Sequence, residues 1–139
     1  MKSDFWDTSA LLALQCAGDD FHVAAARAFA GHCCAARRSR AEFYAAATGR
    51  MAVPPVAALR LLESLDEFVD WLSLSDADET RIIKSAPRRG LQGRILFDAL
   101  IGECALLAGC PTVVTANPTH LRHVLPQADI VDLTLRAYS

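Results

Sequence analysis

"SDFWDTSALLALQCAG", residues 3–18, decides the fold. Residues 3–7 read as a short strand, and residues 8–18 read as a helix with Thr8 or Ser9 placed to cap it. Asp7 stands where the strand ends and the helix begins. A carboxylate in so apolar a stretch costs free energy unless something pairs with it. Working outward, the alternation repeats. Residues 19–32 read as a second helix whose acidic start suits the positive end of the helix dipole. "CCAA" (33–36) is a short apolar run ahead of a helix over 37–50. Pro54 and Pro55 open a helix over 55–65. Residues 68–74 alternate like a strand, and 76–86 read as a helix that stops before Pro87, with 87–90 as a loop. A long apolar helix over 91–109 ends at a Gly109 cap. "TVVTA" (112–116) is β-branched and short, hence a strand. A helix over 118–124 and a strand over 129–133 complete the pattern.

Strands separated by helices predict an α/β fold with a mostly parallel sheet. Such sheets keep their chemistry beyond the carboxyl ends of the strands. Asp7 follows the first strand, and Asn117 lies just past the strand 112–116. The 139 residues form one domain, 1–139, with no repeat or linker. At 53% hydrophobic, the chain is expected to bury a core rather than remain disordered.

The same composition narrows the function classes. No apolar run is long enough to span a membrane. "MKSDFWD" lacks the apolar segment of a signal peptide, so a cytoplasmic protein is expected. The five cysteines (Cys16, Cys33, Cys34, Cys104, Cys110) are odd in number and form no disulfide framework. "HCC" at 32–34 has no CxxC partner with zinc-site spacing, so free thiols are expected. The net charge of −2 is no global nucleic-acid signature, but it is unevenly spread. Residues 63–79 carry seven acids and no base, and residues 81–94 carry five bases and no acid. Such runs are ordinarily solvated faces, although guanidinium groups also match phosphate geometry.

Four polar residues interrupt apolar surroundings: Asp7, Glu42, Asp98 and Asn117. Each has a local explanation. Asp7 can cap the following helix, and Asn117 can make a turn with Pro118. Ser39 and Glu42 match a capping box. Asp98 can pair with Arg94, four residues back. Gly102, at i+4 from Asp98, shares its face and leaves room beside the carboxylate. One explanation covers all four: carboxylates and an amide at strand ends, holding a hard divalent cation. Mg²⁺ and Mn²⁺ prefer such oxygen ligands.

At these residues the chain resembles the PIN-domain ribonucleases, most of all the VapC-type toxins of toxin–antitoxin systems. "FWDTSALLAL" resembles the family's opening motif with Asp7, "AEFYAAATGR" the second with Glu42, "LFDALIGECALLAG" the third with Asp98, and "TVVTANPTHLRHV" the fourth. The resemblance covers nearly the whole chain. It implies a PIN-like three-layer α/β/α sandwich and a metal-dependent endoribonuclease that hydrolyses RNA phosphodiester bonds. Asp7, Glu42, Asp98 and Asn117 are the implied catalytic residues, with Asp7 and Asp98 as ligands of Mg²⁺ or Mn²⁺. Thr8, Ser9 and Thr115 are the implied supporting hydroxyls. Arg37, Arg38, Arg88 and Arg89 are candidates for RNA phosphates. Asn117 departs from the family pattern, where Asp is common, and so does His120, where an acid is common. The implied partners are an RNA substrate, a second copy in a homodimer, and an antitoxin docking across the site. The helices 8–18 and 19–32 either form an apolar groove for that docking or belong to the core.

The alternative is a weakened or inactive PIN-like domain that binds RNA or protein without cutting. A response-regulator receiver domain also places acids at strand ends, but it needs a late lysine. The chain's lysines, Lys2 and Lys84, follow no late strand.

Overall fold

The computed structural model describes residues 3–136. The chain alternates as expected: β1 (Phe5–Trp6), α1 (Thr8–Gln15), α2 (His22–Ala28), β2 (Cys33–Ala36), α3 (Arg38–Thr48), α4 (Pro55–Asp66), β3 (Val69–Leu72), α5 (Asp76–Arg89), α6 (Ile95–Ala108), β4 (Thr112–Thr115), α7 (Pro118–Val124), β5 (Asp129–Asp132) and α8 (Leu133–Arg136). The five strands form one sheet in the order β3-β2-β1-β4-β5, and every pairing is parallel. "CCAA" is therefore the strand β2, whose buried faces leave no alternation for the sequence to display.

Phe5 and Trp6 show why the sheet is covered on both sides. Successive side chains on a strand point to opposite faces. Trp6, with Cys33, Ala35 and Val114, packs among α1–α4. Phe5, with Ala36 and Val113, packs among α5, α6 and α7. Burying each aromatic fully contributes roughly 1.5–3 kcal/mol. The result is the three-layer α/β/α sandwich. The chain runs outward from β1 through β2 to β3, then returns to the other side of β1 for β4 and β5. That reversal puts the topological switch point between β1 and β4, beyond whose carboxyl ends open parallel sheets bind ligands.

Several boundaries differ from expectation for local reasons. Asp7, not Thr8 or Ser9, caps α1, because its carboxylate accepts the Ala10 N–H. The helix α1 stops at Gln15, where Cys16 turns extended. The helix α2 starts at His22 because the Asp19 carboxylate accepts the Phe21 N–H and holds a turn. Ala10, Leu11, Leu12, Ala24 and Ala25 of these two helices are buried, so the pair is core rather than an open groove. Pro87 does not end α5. It sits in the last turn, and Gly90, left-handed at φ 68°, closes the helix by donating to the Ala86 and Pro87 carbonyls. Gly93, also left-handed, delays α6 to Ile95. The Asp132 carboxylate accepts the Thr134 N–H and hydroxyl, which turns Leu133 out of the last strand and into α8.

Gly102 serves a different neighbour from the one expected. A Cβ there would lie 2.9 Å from Cγ and Cδ1 of Leu125, so the glycine makes room for the end of α7 against α6. No helix among the described residues is long and apolar enough to cross a membrane.

Candidate active site

Asp7 leaves β1 in extended conformation, and its N–H still pairs with the Val114 carbonyl at 3.1 Å. Its side chain is thereby tied to the first turn of α1. Oδ1 accepts the Ala10 N–H at 2.9 Å and the Ser9 hydroxyl at 2.7 Å, and Oδ2 accepts the Thr115 hydroxyl at 2.5 Å. Thr115, fully buried at the end of β4, accepts the Asn117 N–H at 2.8 Å. Ser9 accepts the Ala116 N–H at 2.9 Å. Two hydroxyls thus lock the end of β4 to the start of α1, with Asp7 between them.

Asp7 is only 9% exposed. Burial pushes its carboxyl from 3.8 up to about 6, although the donors from Thr115, Ser9 and Ala10 oppose the shift. The nearby Asp98 charge pushes the same way. Asp98 lies in the first turn of α6, half-buried, and burial raises its carboxyl too. His120 and Arg94 counter that rise, His120 first. The side chain facing Asp98 is His120, whose Nδ1 is 3.3 Å from Oδ2. The Arg94 pairing weighed from the sequence is only a longer-range electrostatic contribution.

Glu42 is held by Thr8. The Thr8 hydroxyl lies 2.8 Å from Glu42 Oε1 and 2.9 Å from the Ser39 hydroxyl. The capping box does not form, because α3 begins at Arg38 and its N-cap, Arg37, makes no side-chain cap. Glu42 therefore sits in the second turn of α3, bound to the residue that follows Asp7. Asn117 occupies the N-cap of α7 yet makes no capping bond with its side chain. Its amide lies 3.5 Å from His120 Nδ1 instead.

The structure links Asp7, Ser9, Thr115 and Asn117 in one hydrogen-bonded set. Thr8 joins Glu42 to it through the chain, and Asp98 is near enough to Asp7 for their charges to interact. Among the described residues, no three His, Cys, Asp or Glu side chains stand close enough to hold a metal ion by themselves. The donors nonetheless suit one. Mg²⁺ is held by one or two carboxylates with water filling the rest, and the two carboxyls pushed up by burial carry charge that the protein's own cations offset only in part. His32 pairs with Asp70 rather than with cysteine, and burial pushes the Cys33 thiol up to about 12.

Arg37 and Arg38 follow β2 at the same edge of the sheet. Arg38 pairs with Glu79 at 3.6 Å and stacks on Phe97. Arg88 and Arg89 close α5, one short link before the helix that carries Asp98. His120 escaped the sequence analysis as a partner of Asp98. The available signal was its position three residues past Asn117, in the first turn beyond β4.

A family model described as PIN domain matches residues 5–124. The crystal structure of PAE2754 from Pyrobaculum aerophilum is similar in fold, with a TM-score of 0.59 and 22% sequence identity over 99% of this chain and 96% of that one. No curated protein matches the sequence significantly.

Proposed function

Because the chain belongs to the PIN domain family, as the match over residues 5–124 establishes, we propose that it is a metal-dependent endoribonuclease, the toxin of a type II toxin–antitoxin pair. PIN domains are generally nucleases, and a hydrolase acting on nucleic acid is the coarse activity that membership supports. One observation supports the metal-dependent chemistry: Asp98 lies near enough to Asp7, at the switch point of the sheet, for its charge to add to the burial that pushes Asp7 toward the neutral form. Carboxyls raised by burial and by a neighbouring like charge cluster at functional sites.

Asp7 and Asp98 would hold Mg²⁺ or Mn²⁺. When bound, such an ion supplies a water of lowered pKa and Lewis-acid stabilisation of phosphoryl charge. The chain's own residues do the positioning. Thr115, Ser9 and the Ala10 N–H fix Asp7, and Thr8 aims Glu42. Glu42 and Asn117 orient water at the scissile phosphate. Arg37, Arg38, Arg88 and Arg89 offer guanidinium groups to RNA phosphates. An antitoxin, a homodimer and a cytoplasmic location belong to the same proposal and rest on the resemblance.

The test is cleavage of a panel of transfer RNAs, ribosomal fragments and unstructured RNA in Mn²⁺, Mg²⁺ or EDTA, with Asp98→Asn alongside. Metal-dependent cutting that vanishes in the variant is expected. Equal cutting by the variant overturns the assignment. A second reading, a PIN-like module that binds without cutting, is favoured by His120 standing against the Asp98 carboxylate and by Asn117 where an acid is common. Weak Mn²⁺ binding together with no cleavage of any RNA would select it.

A further inference from the structure

Phe97 immediately precedes Asp98 in the first turn of α6 and is 42% exposed. It is a large aromatic left in water beside the candidate site. The Arg38 guanidinium lies over its ring, 5.0 Å from the centroid. The spacing of Phe97, Leu100, Ile101 and Cys104 places them on one face of α6, next to the face that carries Asp98. Leu100 and Ile101, with Leu72 and Leu74, line a cavity of about 120 Å³ whose charged walls are Arg38 and Glu79. Arg38 therefore touches Phe97 on one side and this cavity on the other. Arg37 and Arg94, both exposed, add positive charge nearby.

We propose that Phe97, with Arg38 stacked beside it, is the platform for a nucleobase flanking the phosphodiester bond that is cut; this rests on the nuclease reading above. Single-stranded nucleic acid is bound by aromatic and guanidinium planes that stack on bases while cations track the backbone. The apolar walls suit a base's flat face. Arg38 and Glu79 supply donors and an acceptor for its edge. An exposed aromatic, a guanidinium over its ring and an adjoining acid suit an unstacked base next to a reacting phosphate. An apolar protein segment would find a charged pair at the cavity instead of a continuous greasy face.

The test is a binding cycle in EDTA, read by fluorescence anisotropy. The probes are a labelled single-stranded oligoadenylate and an abasic ribose-phosphate oligomer of the same length. Wild type is expected to prefer the oligoadenylate by roughly 5- to 150-fold, the range for stacking one base on an aromatic side chain. Phe97→Ala should lose that preference while binding the abasic oligomer as wild type does. Phe97→Tyr should keep it. Arg38→Gln should weaken both probes and flatten the salt dependence. A wild type that binds both probes equally, or a Phe97→Ala protein that keeps the preference, overturns the platform. Cleavage of RNA in Mn²⁺ separates the two failures. A protein that cuts but shows no Phe97-dependent preference loses only the platform, whereas one that neither cuts nor binds RNA loses the nuclease reading and the platform with it.

Discussion

Replacing Asp7 with Asn should make the protein more stable and inactive at once. Burial raises the Asp7 carboxyl from 3.8 to about 6. A carboxyl raised on folding is a group whose native form binds more protons than its unfolded form between those two values. Stability is then fully present below pH 3.8 and falls as pH rises through about 6. A shift of about two units corresponds to about 3 kcal/mol lost once both states are ionised. Asparagine imitates the protonated acid: its oxygen can accept from Ala10 and Ser9, and its NH₂ can donate to the Thr115 hydroxyl, which already accepts from Asn117. Asp7→Asn should therefore recover about 2–3 kcal/mol at pH 8, or roughly 10 °C in Tm for a chain of this size. The assay is thermal unfolding in EDTA from pH 4 to 8. The two proteins should converge near pH 4 and separate between pH 4 and 7. Added Mn²⁺ should raise the Tm of wild type and leave Asp7→Asn unmoved, since a ligand stabilises only the state that binds it. A variant less stable than wild type at pH 8, or a Tm difference that does not change with pH, would refute the account of Asp7.

Thr115→Val removes a donor to the ionised Asp7 and the acceptor for the Asn117 N–H; it should cost about 1–3 kcal/mol and move the acid limb of the cleavage–pH profile upward, and an unmoved limb would show that Asp7 does not set that limb. Gly102→Ala brings a Cβ to 2.9 Å from Leu125; overpacking of about 1–3 kcal/mol against a helix gain of about 1 leaves a net loss of about 1 kcal/mol, checked by urea unfolding, and a gain instead would mean that Leu125 moves aside freely. Ala52 is held at φ 53°, in the left-handed region; Ala52→Gly should stabilise by about 0.5 kcal/mol, the difference between that strain and the extra chain entropy of glycine, and a lower Tm would contradict this.

The fold was legible where a single residue settles a boundary. Gly109 ends α6 as the sequence predicts, left-handed at φ 67°, and Pro118 opens α7. Other features depend on contacts distant in sequence. Gly102 faces Leu125, twenty-three positions on, and helix periodicity places it only beside Asp98, which led to the wrong neighbour. Pro87 reads as a stop because proline is disfavoured inside a helix, but in the last turn of α5 it forfeits a single bond. The pairing of His120 with Asp98 is not legible in the sequence because it joins two helices that only the sheet brings together. At Asp7, the alternatives of cap and site residue were not separable in the sequence, since the structure makes it the cap of α1 without removing it from the site.

That double role bears on why the carboxylate is there. A helix cap contributes about 1 kcal/mol, and Asn, Ser or Thr performs it as well as Asp. Capping alone does not account for a buried charge whose ionisation costs about 3 kcal/mol by the shift to about 6. Nor does packing, because the chain places no cation within ion-pair distance of Asp7 among the described residues, and the charge it senses most specifically is another acid, Asp98. The hydroxyls of Ser9 and Thr115 soften the penalty without removing it. A residue whose local task a neutral side chain fills better, kept charged beside a second carboxylate at the switch point of a parallel sheet, carries the stability deficit expected of a functional position. The same reasoning extends to Phe97: an aromatic ring exposed next to that pair forgoes burial that the core could have used, and a stacked base would restore it.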